Sequence, residues 1–143
     1  MILGFIGTGK ISSSIILGIF KSKLNVKRIY ISSRNRNIAK KLAKKFTKVK
    51  ILNDNQEIID KSSTVFLGVT PNVGNNIISK LRFSKNKKII SLISTINLSK
   101  LKQVTKNKNV VRATPLPPIE IKKGPVIICP PSKFAKNIFK HLG

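Results

Sequence analysis

The residues whose types and spacing suit chemistry in this chain are glycines, hydroxyls and an arginine. Gly7-Thr8-Gly9 follows an apolar run over 2–6 and is followed by Lys10 and Ile11. A glycine at Gly7 permits a tight turn, and one at Gly9 lets backbone N–H groups approach a phosphate. A helix opened there turns its positive N-terminus on the same anion. A lone G-x-G is a weak signal, and Ser12 stands where the usual dinucleotide fingerprint has its third glycine. Its place after a strand and before a helix is what raises it above a plain glycine turn.

The next such stretch is Ile31-Ser32-Ser33-Arg34-Asn35. At this point of a dinucleotide-binding unit an acidic residue bonds the ribose 2′-hydroxyl of NAD, whereas an arginine accommodates the 2′-phosphate of NADP. There is no acid in reach, and two hydroxyls and Arg34 are available, so NADP is the expected cofactor. Arg36 or Lys40 can share the phosphate. The competing reading makes Arg34 one more solvated base in a basic stretch. Thr70-Pro71 and Ser94-Thr95 fall at the ends of later strands, where polar groups flank a ribose and a nicotinamide. Strand-ending turns use the same residue types.

Other chemistries find little support. All four acids lie away from the expected strand ends, with Glu120 the possible exception, and there is no Ser-His-Asp order or carboxylate pair. The single cysteine, Cys129, sits in an apolar run and reads as core, and the single histidine, His141, reads as surface. Neither a disulfide framework nor a metal site can be built from one of each. Hydride transfer fits such a chain, because the cofactor performs the chemistry while the protein supplies placement. No catalytic residue is singled out.

The elements that must position these residues follow from periodicity. Strands are expected over 2–6, 28–32, 49–52, 64–69, 88–93, 109–113 and 125–129. The run Thr64-Val65-Phe66-Leu67-Gly68-Val69 reads as buried on both faces of a parallel sheet. Helices are expected from Ile11 to Phe20, then over 35–46, 54–61, 73–81, 98–105 and 133–142. In the second of these Ile38, Ala39, Leu42, Ala43 and Phe46 recur at helical spacing while Lys40, Lys41, Lys44 and Lys45 take the solvated face. The cluster Pro115-Leu116-Pro117-Pro118 reads as an extended or turning loop. Ser132 suits an N-cap and Gly143 a C-terminal glycine cap. Strands alternating with helices imply an α/β fold, doubly wound around a mainly parallel sheet.

Composition bounds the rest. A length of 143 residues suits a single domain over 1–143 and excludes a second of any size. A net charge of +25 argues on its face for a polyanionic partner. Yet the bases are 24 Lys and only 5 Arg, and with 23 Ile and 13 Asn they betray an AT-rich coding bias. A phosphate-binding surface would be expected to use more arginine. Aromatic stacking platforms and a recognition-helix pattern are missing, so no specific nucleic-acid partner is expected. The hydrophobic fraction of 41% is too high for a disordered basic tail. The apolar start lacks the basic n-region of a signal peptide, and no run reaches the length of a membrane span. A reducing cytoplasm is the expected compartment.

Several strings together carry a family resemblance: Phe5-Ile6-Gly7-Thr8-Gly9-Lys10-Ile11, Asp54-Asn55-Gln56-Glu57, Val65-Phe66-Leu67-Gly68-Val69-Thr70-Pro71, Ile90-Ser91-Leu92-Ile93 and Val110-Val111-Arg112-Ala113. In order and spacing they resemble the N-terminal domain of pyrroline-5-carboxylate reductase, an NAD(P)H-dependent enzyme of proline biosynthesis. The resemblance implies a Rossmann-type domain holding NADPH at Gly7 to Ile11, with Ser33 and Arg34 near the adenosine phosphate and Asn55 near the adenosine. Gly68, Val69, Thr70 and Pro71, with Ser94 and Thr95, would lie along the ribose and nicotinamide. It further implies hydride transfer to a cyclic imine, and a homo-oligomer formed through a helical domain that supplies most of the imine groove.

The sequence departs from that family's pattern at Lys10 (usually Asn), Thr70 (usually Lys), Ser94-Thr95 (usually Ala-Gly) and Thr114-Pro115-Leu116-Pro117-Pro118 (usually Met-Pro-Asn-Thr-Pro). It also stops where the helical domain would begin, so a piece of a longer enzyme is the simpler expectation. The alternatives are a stand-alone, non-catalytic dinucleotide-binding module and a related reductase acting on a different imine or carbonyl.

Overall fold

A computed structural model of the chain describes residues 1–116 and 118–142. Strands with no polar face build its centre. β1 (Ile2–Ile6), β2 (Arg28–Ser32), β3 (Val49–Leu52), β4 (Thr64–Leu67), β5 (Lys88–Ser91), β6 (Val110–Pro115) and β7 (Val126–Cys129) form one sheet in the order β3-β2-β1-β4-β5-β6-β7. All pairings are parallel except that of β7 with β6. Chain order reverses between β1 and β4, which places a crevice beyond their carboxyl ends.

Among the described residues six helices cover the two faces: α1 (Lys10–Lys21), α2 (Arg36–Lys45), α3 (Asn55–Lys61), α4 (Pro71–Ile78), α5 (Leu98–Thr105) and α6 (Lys133–Phe139). One core joins Ile15, Ile16 and Ile19 of α1 to Ala39 and Leu42 of α2 and to Ala135, Ile138 and Phe139 of α6. The other joins Ile58 and Ile59 of α3 to Ile78 of α4 and Leu101 of α5. Lys40, Lys41, Lys44 and Lys45 are exposed, as the amphipathic spacing of α2 requires. In the first core the rings of Phe5 and Phe66, in register on β1 and β4, stack with centroids 4.4 Å apart, and Phe139 meets Phe66 edge-on at 6.1 Å.

Several boundaries differ from the sequence expectation. α4 begins at Pro71, two residues early, because a proline at the first helical position loses no needed N–H. β4 and β5 each end two residues early, at Leu67 and Ser91. Gly68 and Val69 turn against the glycine turn, and the Ser91 hydroxyl accepts from the Ile93 N–H at 3.2 Å. β6 runs two residues further, through Thr114 and Pro115, because β7 pairs with it there. A 3₁₀ turn at Ile119–Ile121, not expected from sequence, follows. α6 stops at Phe139; Pro117 and the proposed cap Gly143 lie outside the described residues.

The placement of Cys129 in the core is corrected. β7 is the sheet edge, its residues alternate between half-buried and exposed, and Cys129 is exposed, as is Ile127 at 61%. The apolar run around Cys129 suggests core, but an edge strand leaves alternate residues uncovered. His141 is half-buried, between the buried Phe139 and Leu142, and not on the open surface. Among the described residues no helix is long and apolar enough to cross a membrane.

The aromatic stack is the part of the core that joins β1, β4 and α6. Phe66→Ala should lower stability by about 3–5 kcal/mol, read as a shift of the urea unfolding midpoint.

Candidate functional site

The site begins with two backbones that meet. Gly7 ends β1 with φ +93°, and a Cβ built there would lie 2.6 Å from the carbonyl carbon and oxygen of Gly68. A Cβ on Gly68 would in turn strike the Ser12 hydroxyl. Only glycine fits at Gly7, on conformation and on space alike. The glycine turn is then pinned to β2: the Gly7 N–H donates to Ser32 Oγ at 2.9 Å, and the Thr8 hydroxyl donates to the Ser32 carbonyl at 2.8 Å.

Beyond this turn lies a cleft of about 560 Å³. Its walls are Gly7, Thr8 and Gly9 of the turn, Arg34, Asn35, Arg36 and Asn37 at the start of α2, and Gly68, Val69 and Thr70 after β4. Two smaller hollows adjoin it, one of about 100 Å³ bordered by Ser33, Asn53 and Asn55 and one of about 270 Å³ bordered by Ser33, Arg36 and Lys40. Among the described residues no Asp or Glu lines any of the three.

Helix capping sets this cleft apart from the rest of the molecule. α3, α5 and α6 are closed by side chains: Asp54 accepts from the Gln56 N–H at 3.0 Å, Asn97 from Lys100 at 2.8 Å and Ser132 from Ala135 at 3.5 Å. α1, α2 and α4 have no side-chain cap and no acid in the first turn. Their N-cap residues, Gly9, Asn35 and Thr70, all line the cleft. The unbonded N–H groups opening α1 and α2 and three positive helix ends therefore face one space, beside Arg34 and Arg36; α4 contributes mainly its dipole, since Pro71 has no N–H and the Val73 N–H bonds the Thr70 carbonyl. A Cβ on Gly9 would meet nothing within 4 Å, so the turn leaves open room where an anion would approach. Such a space takes an elongated, multiply charged anion.

Most expected site residues come together here. Gly7, Thr8, Gly9, Arg34, Gly68, Val69 and Thr70 line the cleft, and Ser33 and Asn55 line the small hollow beside it. Lys10, Ile11 and Pro71 are exposed in the first turns of α1 and α4, and Ser94 and Thr95 are exposed in the β5–α5 loop; none of the five borders the cleft. One expectation needs correcting. Of the two hydroxyls foreseen after β2, Ser32 is 4% exposed and committed to the glycine turn, which leaves Ser33. Sequence reasoning passed over Asn35, Asn37 and Asn53. Their signal was position: Asn35 opens a foreseen helix, whose N-cap it proves to be, and Asn53 follows a foreseen strand.

A family model described as NADP oxidoreductase, coenzyme F420-dependent, matches residues 2–97. The chain belongs to this family. The matched part of this NADP oxidoreductase family member contains every wall of the cleft. Among curated proteins the chain is similar to pyrroline-5-carboxylate reductase of Glycine max, 28% identical over 121 residues, and to that of Pisum sativum, 26% identical over 121 residues. Each match covers 83% of this chain and 44% of the relative, so the chain spans less than half the length of these relatives.

Solved structures agree on the fold. Pyrroline-5-carboxylate reductase from Streptococcus pyogenes superposes with a TM-score of 0.81 at 24% identity, covering 100% of this chain and 56% of that one. The Plasmodium falciparum pyrroline carboxylate reductase, solved with NADP bound, gives 0.78 at 20% identity, covering 99% and 55%. Prephenate dehydrogenase from A. aeolicus gives 0.82 at 16% identity, covering 100% and 57%. The Rossmann-type, doubly wound architecture read from the sequence is the one these structures share.

Ser32 holds the glycine turn in place from beneath. Ser32→Ala leaves the Gly7 N–H buried without its partner and should cost about 1–3 kcal/mol of stability, measured by chemical denaturation. Ser33→Ala should leave stability within about 0.5 kcal/mol.

Proposed function

We propose that this chain is the NADPH-binding domain of a reductase resembling pyrroline-5-carboxylate reductase, one that passes a hydride to the carbon of a C=N bond in a cyclic imine. The observation that carries this reading is the convergence of three helix N-termini without side-chain caps on one carboxylate-free cleft beside Arg34 and Arg36. A dinucleotide with a 2′-phosphate bears charge at separated points, and the cleft offers donors at separated points.

The residues fit that cofactor. Gly7 permits the tight turn, Gly9 gives a pyrophosphate room against the backbone, and the unbonded N–H groups opening α1 hold its oxygens. Arg34, with Arg36 and Lys40 around the adjoining hollow, neutralises the 2′-phosphate. Asn55 borders the hollow suited to the adenosine, and Gly68, Val69 and Thr70 line the cleft on the side of the ribose and nicotinamide half. On the family resemblance Pro71, Ser94 and Thr95, which lie just outside the cleft, complete that half. When bound, the nicotinamide supplies the hydride. The chain's own residues orient it and hold its charge.

On this reading the partner is a small-molecule imine and no specific nucleic acid. A helical domain, as in the enzymes the sequence resembles, supplies most of the imine groove and joins copies into a homo-oligomer. The reaction belongs to proline biosynthesis in the cytoplasm, and the domain alone binds NADPH while turning over weakly or not at all. A second reading, a reductase of the same class with another imine or carbonyl substrate, is favoured by the loop after β6. There Thr114 and Pro115 are drawn into the sheet and Leu116 is 42% exposed, where the resembled family has Asn in this loop.

NADPH fluorescence titration tests the cofactor. Wild type should prefer NADPH to NADH, and Arg34→Gln with Arg36→Gln should weaken NADPH by roughly ten- to a hundredfold, corresponding to about 1.5–3 kcal/mol for a charge-assisted contact. NADH binding should barely move. Equal affinity of wild type for the two cofactors would overturn the assignment.

A further inference from the structure

We infer that Arg112, a residue outside the cleft, is a positioning residue that fixes the β5–α5 loop so that Ser94 and Thr95 are presented to the nicotinamide half of the cofactor. This inference rests on the cofactor reading above. Arg112 lies on β6 between Ser91 of β5 and Cys129 of β7. Its strand neighbours Val111 and Ala113 pack into the α1–α2–α6 core, whereas Val110 packs into the α3–α4–α5 core. Strand alternation therefore turns Arg112 with Val110 toward the face that carries α5. From there its Nη2 donates to the carbonyl of Ile96, directly after Ser94 and Thr95 in the segment joining β5 to α5.

The guanidinium is an expensive choice for this position. Its Nε is a buried donor without a hydrogen-bond partner. Burying an unsatisfied donor on a charged group costs free energy that a leucine or methionine of similar volume would avoid. What the arginine gains is its contact with the loop. That loop is already tied at its start, where Ile93 N–H donates to Ser91 Oγ at 3.2 Å, and at its end, where Asn97 accepts from Lys100 at 2.8 Å. Between the ties Ser94 and Thr95 are exposed while Ile93 and Ile96 are buried. The Arg112 contact to Ile96 is a third tie, and it makes the excursion of the two hydroxyls rigid.

The position of the loop gives the tie its meaning. β5 neighbours β4, whose end forms a wall of the cleft. In a doubly wound dinucleotide fold the strands on this side of the switch point serve the nicotinamide mononucleotide half, and those on the other side serve the adenosine. Arg34 and Arg36 sit with the adenosine half. Removing Arg112 should therefore affect one end of the cofactor and spare the other.

The experiment titrates wild type, Arg112→Met and Arg112→Lys with NADPH and with 2′-phospho-ADP-ribose, which lacks the nicotinamide. In Arg112→Met, NADPH should weaken about tenfold, the scale of one charge-assisted contact, with 2′-phospho-ADP-ribose within about twofold. Arg112→Lys should recover part of the loss. Amide exchange over 93–97 should quicken in Arg112→Met while the β5 and β6 amides stay protected. Equal weakening of both ligands, or unchanged NADPH binding, would overturn the positioning role while leaving the cofactor reading intact. Failure of wild type to bind either ligand would overturn the cofactor reading and this role with it.

Discussion

The close approach of Gly7 to Gly68 governs the arrangement of everything around the cleft. β1 and β4 are neighbours in the sheet, but the helices that follow them depart to opposite faces, α1 into one core and α4 into the other. The two strands can separate without a gap only if their backbones first come within contact; a side chain at Gly7 would strike the Gly68 backbone, and one at Gly68 would strike Ser12 of α1. Once they meet, the Gly68 N–H can reach the Ile6 carbonyl at 2.8 Å and continue the ladder to its last rung. The crevice opens from that rung outward. The N-termini of α1 and α4 face each other across it because the strands behind them touch.

Electrostatics in this molecule are a matter of where acids are missing. With 29 bases and four acids, positive charge is everywhere and marks no site by itself. Three of the acids lie on or cap α3, and Glu120 sits in the 3₁₀ turn beside Ser14 of α1. The cleft is distinguished by backbone dipoles that nothing neutralises. Surface lysines are screened within roughly 10 Å at moderate salt, whereas N–H groups fixed at a partly enclosed helix end lose little of their pull. A ligand held chiefly by such groups would be less sensitive to salt than one held by lysines.

The sequence made the fold legible because local and global signals agree along most of it. Gly7-Thr8-Gly9 marked the first turn, the lysine spacing marked α2, and Ser132 marked the helix it caps, whereas the caps Asp54 and Asn97 emerged only in the structure. What stayed hidden depended on pairing or on neighbours. The apolar run ending in Cys129 has the composition of a core strand, and only its place at the sheet edge exposes it. Thr114 and Pro115 read as loop until an antiparallel partner recruits them. Ser32 reads as free to meet a ribose until Gly7, 25 residues away in sequence, takes its hydroxyl. Asn35 and Asn37 carry no motif, and the fold alone brings them to the cleft.

The edge position of Cys129 has a practical consequence. It is the sole thiol of the chain and is exposed on β7, four strand intervals from β1. At about 4.8 Å per interval the glycine turn and this thiol stand roughly 19 Å apart across the sheet. A maleimide dye attached there would label the molecule at one known point without engineering any residue of the cleft. It would also sit within energy-transfer range of a fluorescent nicotinamide, turning occupancy of the crevice into an optical signal.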